Sequence, residues 1–134
     1  VVEADELSVP AILNGIRRGR VFIDLTSSHD KLLDMEAGVG SRHAQMGEDL
    51  TASDGMSVQL NVHVAGCTGD QVHLLVDGHE SPELAPLEIS GSDETLHAHW
   101  MASSGRHWLR AEIRDSHGTL LVLGNPIYIN FQTR

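Results

Sequence analysis

The stretch that decides the fold is MSVQLNVHVAG, residues 56–66. Valine and leucine occupy every second position from Val58 to Val64, and Gln59, Asn61 and His63 stand between them. In an extended chain successive side chains point to opposite faces, so a period of two places all the apolar residues on one face. The stretch therefore predicts a β-strand with one buried face and one polar face.

The same alternation returns on both sides of this stretch. QVHLLVDGHE (71–80) and HWLRAEIRD (107–115) repeat it, and TLHAHWM (95–101) puts Leu96, Ala98 and Trp100 opposite His97 and His99. Asp77-Gly78 and DSHG (115–118) are turn signals between such segments. Short strands with a turn signal roughly every 8–12 residues are typical of antiparallel sandwiches. The sequence thus predicts a mainly β protein, an immunoglobulin-like antiparallel β-sandwich with one short N-terminal helix.

Further segments complete this prediction. Strands are expected at RVFIDL (20–25), within KLLDMEAG (31–38) and at TLLVLG (119–124), and residues 38–57 are expected to form a long loop with a short strand at MGEDL. After Pro126, IYINF (127–131) is expected to be the closing strand that seals the sandwich. The chain cut at Gly124 is therefore predicted to unfold.

One helix is signalled near the start, in LSVPAILNGIRRGR (7–20). Ser8 is a suitable N-cap, Pro10 fits the first turn and Gly19 is a suitable stop. Helical spacing places Val9, Ile12, Leu13 and Ile16 on one apolar stripe, which must dock on something. We expect residues 1–19 to be a helical lead-in or linker from an upstream domain, and residues 20–134 to be the β-sandwich domain.

Composition limits the classes of partner. The 134 residues, 40% hydrophobic, suit one domain. Nineteen acidic against nine basic residues give a formal net charge of −10, which disfavours nucleic acid and anionic membranes. With no long apolar run and no signal-like start, we expect a soluble protein of the bacterial cytoplasm or periplasm. Because the chain starts at Val1, we expect it to be an excised or processed piece.

Four motifs, taken in order, carry a resemblance. They are RRGRVFIDL (17–25), MGEDL (46–50), HWLRAEIRDSHGTLLVL (107–123) and GNPIYIN (124–130). Together they resemble the C-terminal region of bacterial PHP-type (polymerase and histidinol phosphatase) metal-dependent phosphoesterases, over essentially the whole chain. In that family a helix with a Gly-Arg ending leads into a β-sandwich appended to the catalytic barrel. The family's catalytic His-x-His pair and further metal ligands lie on that barrel, which this chain lacks.

The resemblance implies a non-catalytic accessory domain, with the upstream catalytic domain of the same polypeptide as its partner. It implies no enzyme activity in this chain alone and no cofactor in this domain, with divalent metals expected only in the missing catalytic domain. The predicted interface lies on the helix, where an apolar stripe meets an arginine cluster. Its candidate residues are Ile12, Ile16, Arg17 and Arg20.

Two other functions remain open. In a small metal-binding domain, His97 and His99 at positions i and i+2 can ligate one zinc ion, with a third ligand from His63, His73 or His107. A solvent-facing polar strip is the favoured interpretation of these histidines. In a free-standing carbohydrate- or ligand-binding module, an outward Trp108 beside Arg110 would stack on the ligand, although aromatic residues make up 4% of the chain.

Two single residues have simpler expected roles. Glu112 lies between Arg110 and Arg114 on one strand face, which predicts a cross-strand charge ladder rather than an acid/base pair. Cys67 is the one cysteine, and it is expected to be a small buried residue rather than a nucleophile.

Overall fold

The structure is a computed structural model that describes residues 1–131. Over these residues one helix and twelve strands form a mainly β domain with two sheets. The last three residues of the predicted domain, 132–134, lie outside the described residues. The elements are α1 Val9–Arg17, β1 Phe22–Asp24, β2 Leu32–Val39, β3 Arg42–Gln45, β4 Asp49–Leu50, β5 Ser57–Ala65, β6 Gln71–Val76, β7 His79–Glu80, β8 Leu87–Glu88, β9 Asp93–Met101, β10 His107–Arg114, β11 Leu120–Gly124 and β12 Ile127–Ile129.

The smaller sheet has the order β3-β2-β5-β9 and is antiparallel throughout. The strand β5 comes from the stretch that decided the prediction. Its four apolar side chains are fully buried, whereas Gln59 is exposed and His63 half-buried, so the predicted faces are confirmed.

The larger sheet is built around β10. It follows the order β1-β11-β10-β12-β4, and β6 pairs with residues 109–114 on the other edge of β10 and carries β7 and β8. Its pairs are antiparallel, except that β12 and β4 run parallel. The inner residues of β10, Leu109, Ala111 and Ile113, are buried as the alternation predicts.

The two sheets enclose one hydrophobic core. The smaller sheet contributes Leu33, Met35 and Leu60, and the larger sheet contributes Ile113 and Ile127, all at most 1% exposed. Burying an aliphatic side chain of this size stabilises the fold by about 1.5–3 kcal/mol. The prediction of a mainly β sandwich is confirmed, and the immunoglobulin-like assignment stays a prediction.

The predicted loop at 38–57 is wrong in part. A hairpin crosses Gly40-Ser41, where Val39 pairs with Arg42, and the second arm of this hairpin is β3. The sequence did not predict β3, because Ala44 is its one apolar residue and a single buried alanine shows no hydrophobic periodicity. The short strand expected at MGEDL is present as β4.

The Asp77-Gly78 turn is confirmed. Both residues have positive φ, 53° and 84°, and they connect β6 to β7 directly after the Val76–His79 pair. Positive φ at both central residues is the requirement of the two-residue turn that matches strand twist. The turn also places the Asp77 carboxylate beside the start of β10, where Oδ1 accepts a hydrogen bond from the Trp108 N–H at 3.0 Å.

Candidate functional site

The helix α1 begins and ends where its sequence predicts. It contacts the rest of the domain through a glycine, whereas most of its large apolar side chains are exposed. Ser8 Oγ accepts a hydrogen bond from the Ala11 N–H at 3.3 Å, and α1 ends at Arg17, two residues before Gly19. Gly15 is the buried residue of the helix, and a Cβ built there would lie 2.2 Å from the Glu3 carbonyl oxygen. The helix therefore rests on the backbone of the first residues through its glycine face.

Those first residues are part of the sheet edge. Val2 forms an isolated antiparallel bridge with Val21, and the Glu3 N–H donates to the Arg20 carbonyl at 2.8 Å. The predicted boundary between residues 19 and 20 stays a prediction, yet residues 1–3 pair with residues 20–22, which follow the helix. They form a layer between α1 and the edge of the larger sheet.

The apolar stripe of α1 points away from the domain. Val9, Leu13 and Ile16 are 70%, 42% and 50% exposed, and Leu7, just before the helix, is almost fully exposed. We call these four residues the outer stripe. The hydrophobic core of the described residues contains no side chain of α1. Scattered exposed apolar residues are ordinary, whereas Val9, Leu13 and Ile16 share one face of the helix.

The four predicted interface residues divide into two groups. Ile16 and Arg17 lie at the surface, on or beside the outer stripe. Ile12 is half-buried, and Arg20 turns into the domain, with its guanidinium 3.7 Å from the Asp5 carboxylate. The sequence could not distinguish the exposed residues from the half-buried ones. Hydrophobic periodicity predicts which residues share a helix face, but it does not predict how that face is oriented relative to the domain.

Three of the sequence motifs meet where the chain leaves α1. Asn125 Nδ2 donates to the Gly19 carbonyl at 3.0 Å, and the Gly47 N–H donates to the Pro126 carbonyl at 2.7 Å. A Cβ on Gly47, whose φ is +87°, would lie 2.0 Å from the Arg18 carbonyl oxygen. RRGR, MGEDL and GNPIYIN, of which the first and last are joined by residues 106 positions apart, thus form one junction that fixes the direction of the helix.

Gly47→Ala is expected to destabilise the domain more than Gly55→Ala. Both glycines have positive φ, near +87° and +82°, so both variants carry the left-handed penalty of about 1–2 kcal/mol. A Cβ at Gly55 meets nothing within 4 Å, whereas one at Gly47 overlaps the backbone of Arg18, directly after α1, which adds about 1–3 kcal/mol. Urea unfolding of the two variants measures the difference, and equal stabilities would contradict the junction.

The histidine pair is placed as expected on an open face. His97 and His99 are both exposed on the outer side of β9, and His97 Nδ1 lies 2.7 Å from Asn61 Oδ1. Of the three candidate third ligands, His63 shares this face but pairs with Asp93 at 2.6 Å. His73 and His107 belong to the larger sheet. Within residues 1–131 no group of three or more His, Cys, Asp or Glu side chains is placed to hold a metal ion.

Trp108 does not present an open stacking platform. It faces outward and Trp100 inward, as the alternation predicts, but Trp108 is half-buried. The Arg110 guanidinium lies 5.3 Å from the centre of the Trp108 ring, and Gly78 approaches the ring so closely that a Cβ there would be 3.2 Å away. A sugar would have to displace the arginine before it reached that face of the indole.

No model of a known protein family matches this chain, and no curated protein matches it. Within residues 1–131 no helix is both long enough and apolar enough to cross a membrane.

A cluster that the sequence did not predict has the connectivity of a catalytic triad. His107 Nδ1 lies 2.6 Å from Asp77 Oδ2, and its Nε2 lies 3.0 Å from Ser103 Oγ. However, Nε2 also lies 3.1 Å from the Ser104 carbonyl oxygen, which can only accept. Contacts with acceptors at both nitrogens favour the imidazolium, which cannot take the Ser103 proton. The cluster acts as a clip that holds the loop before β10.

This clip predicts a pH-dependent stability. The hydrogen bond to Asp77 raises the pKa of His107 above its ordinary value, so the stabilisation is complete below about pH 6.5 and is lost as pH rises through the folded pKa. His107→Gln is expected to cost about 1–3 kcal/mol at about pH 5.5 and clearly less at about pH 9. Urea unfolding of both proteins at the two pH values measures this, and a pH-independent difference would contradict it.

Cys67 is buried as expected. It is 1% exposed, and its thiol donates to the Ala65 carbonyl at 3.3 Å. Burial raises the pKa of the thiol to about 11. The reactive thiolate is therefore scarce at neutral pH, which suits a structural residue.

Proposed function

We propose that this chain is a non-catalytic accessory domain, which packs through the outer stripe of α1 against an upstream catalytic barrel of the PHP-type metallohydrolase kind. The observation that carries the proposal is the orientation of α1. Its small face, at Gly15, contacts its own domain, and its large apolar residues Leu13 and Ile16 face outward. The motif resemblance supplies the class of partner.

The energetics of a short helix support an external partner. α1 has nine residues, and isolated helices shorter than about 12–15 residues are marginal in water. No side chain of α1 belongs to the hydrophobic core of the described residues. Contact between the outer stripe and a second surface therefore supplies the tertiary packing that stabilises such a short helix. Covering such side chains contributes about 25 cal/mol for each Å² of apolar area removed from water.

The charges beside the stripe define the partner surface further. Arg17 and Arg18 are both exposed at the C-terminal end of α1, in a chain with a net charge of −10. The complementary surface is apolar at its centre and carries carboxylates opposite these arginines. Under this proposal the divalent metals and the hydrolytic chemistry belong to the barrel, and this chain needs neither.

The double variant Leu13→Asp/Ile16→Asp tests the interface. Both side chains face solvent in this chain, so its own melting temperature is expected to change by less than about 3 °C. In the parent polypeptide that includes the barrel, two buried carboxylates are expected to separate the domains and lower hydrolytic activity at least tenfold. Met101→Asp, at an exposed apolar residue of the smaller sheet, is the control and should change neither property. Unchanged activity in the double variant would contradict the interface.

The coding sequence upstream of Val1 tests the family separately. An early His-x-His pair followed by alternating strands and helices is expected there. A stop codon or a secretion signal directly before Val1 would contradict the proposed barrel, whatever the double variant shows.

A further inference from the structure

The strand β9 is a long open edge of the smaller sheet. It forms nine consecutive residue pairs with β5 without a register shift, and no described strand pairs with its other side. Among residues 1–131 the other strands at sheet edges, β1, β3, β4, β7 and β8, have four residues or fewer. A long, straight edge is a template for another strand, and proteins usually protect it with lysine, proline or a β-bulge. β9 contains neither lysine nor proline, and its pairing shows no bulge.

The backbone of β9 presents a row of unpaired hydrogen-bonding groups. The Gly66 N–H donates to the Ser92 carbonyl at 3.0 Å, and the Ala102 N–H donates to the Met56 carbonyl at 2.8 Å. Even-numbered residues therefore direct their backbone groups toward β5, and odd-numbered residues direct theirs away from it. The odd-numbered residues of β9 are Asp93, Thr95, His97, His99 and Met101. Within the described part of the chain, their outward N–H and C=O groups have no hydrogen-bond partner.

The inner side chains of β9 are incompletely covered at this edge. Leu96 and Ala98 are half-buried, whereas the β5 residues paired with them are 0% exposed. Glu94 lies at the start of the same face, but its carboxylate turns back and accepts from the N–H groups of Ser90 and Gly91 at 2.7 and 3.0 Å. A further strand beside β9 would thus bury apolar surface as well as satisfy backbone groups.

We infer that two copies of this chain form a dimer by antiparallel pairing of β9 with β9. The smaller sheets of the two copies then join into one continuous sheet. A two-fold dimer uses the same edge on both copies, so the pairing closes and leaves no long edge open. The inference does not depend on the proposed function, since β9 contains no residue of the outer stripe.

The side chains of β9 favour one register of this pairing. Only shifts by an even number of residues keep the apolar residues of both strands on the core side. The favoured register places Asp93 opposite His99 of the second copy and Leu96 opposite Leu96 of the second copy. A shift by two residues would instead bring the two copies of His97 together and leave Asp93 opposite Met101 of the second copy. Like groups that can both become charged destabilise such a pair, whereas an acid and a base stabilise it.

Both groups of the favoured pair are available for this contact. The Asp93 side chain is 69% exposed, and its Oδ1 lies 2.6 Å from His63 Nε2, so Oδ2 can accept from a second partner. His99 is exposed on the same side of the sheet, and its imidazole can donate to that oxygen. In this register residues 93–99 of the two copies exchange about eight backbone hydrogen bonds.

Sedimentation velocity of the chain between about 1 and 500 μM tests the inference. A reversible equilibrium between monomer and dimer is expected, with a Kd of about 1–100 μM, because two strand edges bury less than a standard interface. A chain that stays monomeric at about 500 μM would overturn the inference and leave the edge to a different protein. Assemblies that grow beyond a dimer would also overturn it, because two-fold pairing consumes the edge.

Amide hydrogen exchange of the native chain locates the interface without a variant. In the dimer, the N–H groups of Asp93, Thr95, His97 and His99 are expected to exchange at least tenfold more slowly than in the monomer. The Met101 N–H lies beyond the paired segment and is expected to keep its rate. A dimer in which the four N–H groups exchange as fast as in the monomer would have its interface elsewhere, which would overturn the inference.

A charge exchange tests the register. His99→Asp places two carboxylates opposite each other and is expected to weaken dimerisation at least tenfold. Addition of Asp93→His to that variant restores an acid opposite a base, and the Kd is expected to return to within about threefold of the native value. His43→Asp, at an exposed histidine of β3, is the control and is expected to leave dimerisation unchanged. Native dimerisation of the His99→Asp variant, or no recovery in the double variant, would contradict this pairing of β9.

Discussion

A chain that stops at Gly124 is expected to stay unfolded. The cut removes β12, which lies between β10 and β4 in the larger sheet. Ile127 and Ile129, both 0% exposed, belong to the core, and each Ile-to-Ala change at such a site costs about 2–5 kcal/mol. Losing both side chains and their strand pairing matches or exceeds the usual net stability of about 5–15 kcal/mol.

The residue after β12 adds a second attachment. Asn130 has a φ of +61°, and its side chain accepts from the Ala52 N–H at 2.9 Å and donates to the Ala52 carbonyl at 2.8 Å. It also donates to the Gly105 carbonyl at 3.0 Å. The end of β12 is therefore bound to two loops as well as to two strands.

Circular dichroism during urea unfolding measures both effects. The truncated chain is expected to show no cooperative transition, and a cooperative transition near that of the intact chain would contradict the closing role of β12. Asn130→Ala loses three hydrogen bonds and must hold a left-handed backbone, so it is expected to cost about 2–4 kcal/mol. Asn130→Gly, which tolerates that backbone, separates the side-chain contribution from the strain.

Removing both arginines around Glu112 is expected to cost about 3–5 kcal/mol. Glu112 is 3% exposed, although it lies on the outer side of β10. Its Oε1 accepts from Arg110 Nη2 at 2.7 Å, and its Oε2 accepts from Arg114 at 3.0 and 3.2 Å. The double variant Arg110→Met/Arg114→Met leaves a buried carboxylate without a cation, which is the costly case for buried charge.

The triple variant makes this prediction specific. Arg110→Met/Glu112→Leu/Arg114→Met removes the charge as well as its partners, and it is expected to be as stable as the native chain or more stable. Recovery of stability when a third substitution is added distinguishes charge burial from general damage to β10. Urea unfolding of the three proteins measures it, and a triple variant no more stable than the double variant would contradict the buried network.

The ion pairs around Glu112 also correct the sequence prediction. A cross-strand ladder was expected, but the pairs run along β10 itself, from position 112 to positions two residues away on each side. The cross-strand neighbours of Glu112 are Leu123 and His73, which provide no countercharge at this carboxylate. The sequence of β10 predicts its faces, but it does not reveal which residues the neighbouring strands place beside it.

Strand prediction succeeded where alternation was long. β5 and β10 were predicted with both faces correct, because a period of two over seven or more residues is hard to produce by chance. The two-residue strands β7 and β8 carry no period at all, and they exist because β6 offers them a free edge. Such strands are set by tertiary pairing rather than by local sequence.

The sequence predicted which residues form the apolar stripe of α1, but it did not predict the direction in which that stripe faces. Capping at Ser8 and the spacing of the stripe located α1, whereas its attachment through Gly15 depends on residues 2 and 3, which have no helical signal. The clip at His107 likewise depends on a turn thirty residues earlier, whose Asp77 carboxylate reaches the imidazole. Contacts across such separations are determined by the topology of the sheets.

The most direct test of the proposed interface is the reactivity of a thiol on the outer stripe. Cys67, the one native cysteine, is buried, so the thiol introduced by Ile16→Cys is the accessible one in this chain. Its alkylation rate, followed by mass spectrometry, is expected to fall at least tenfold in the parent polypeptide relative to this chain alone. The thiol introduced by Met101→Cys is expected to react at the same rate in both. Equal rates for the Ile16→Cys thiol in the two proteins would contradict the proposal that α1 is the contact with the catalytic barrel.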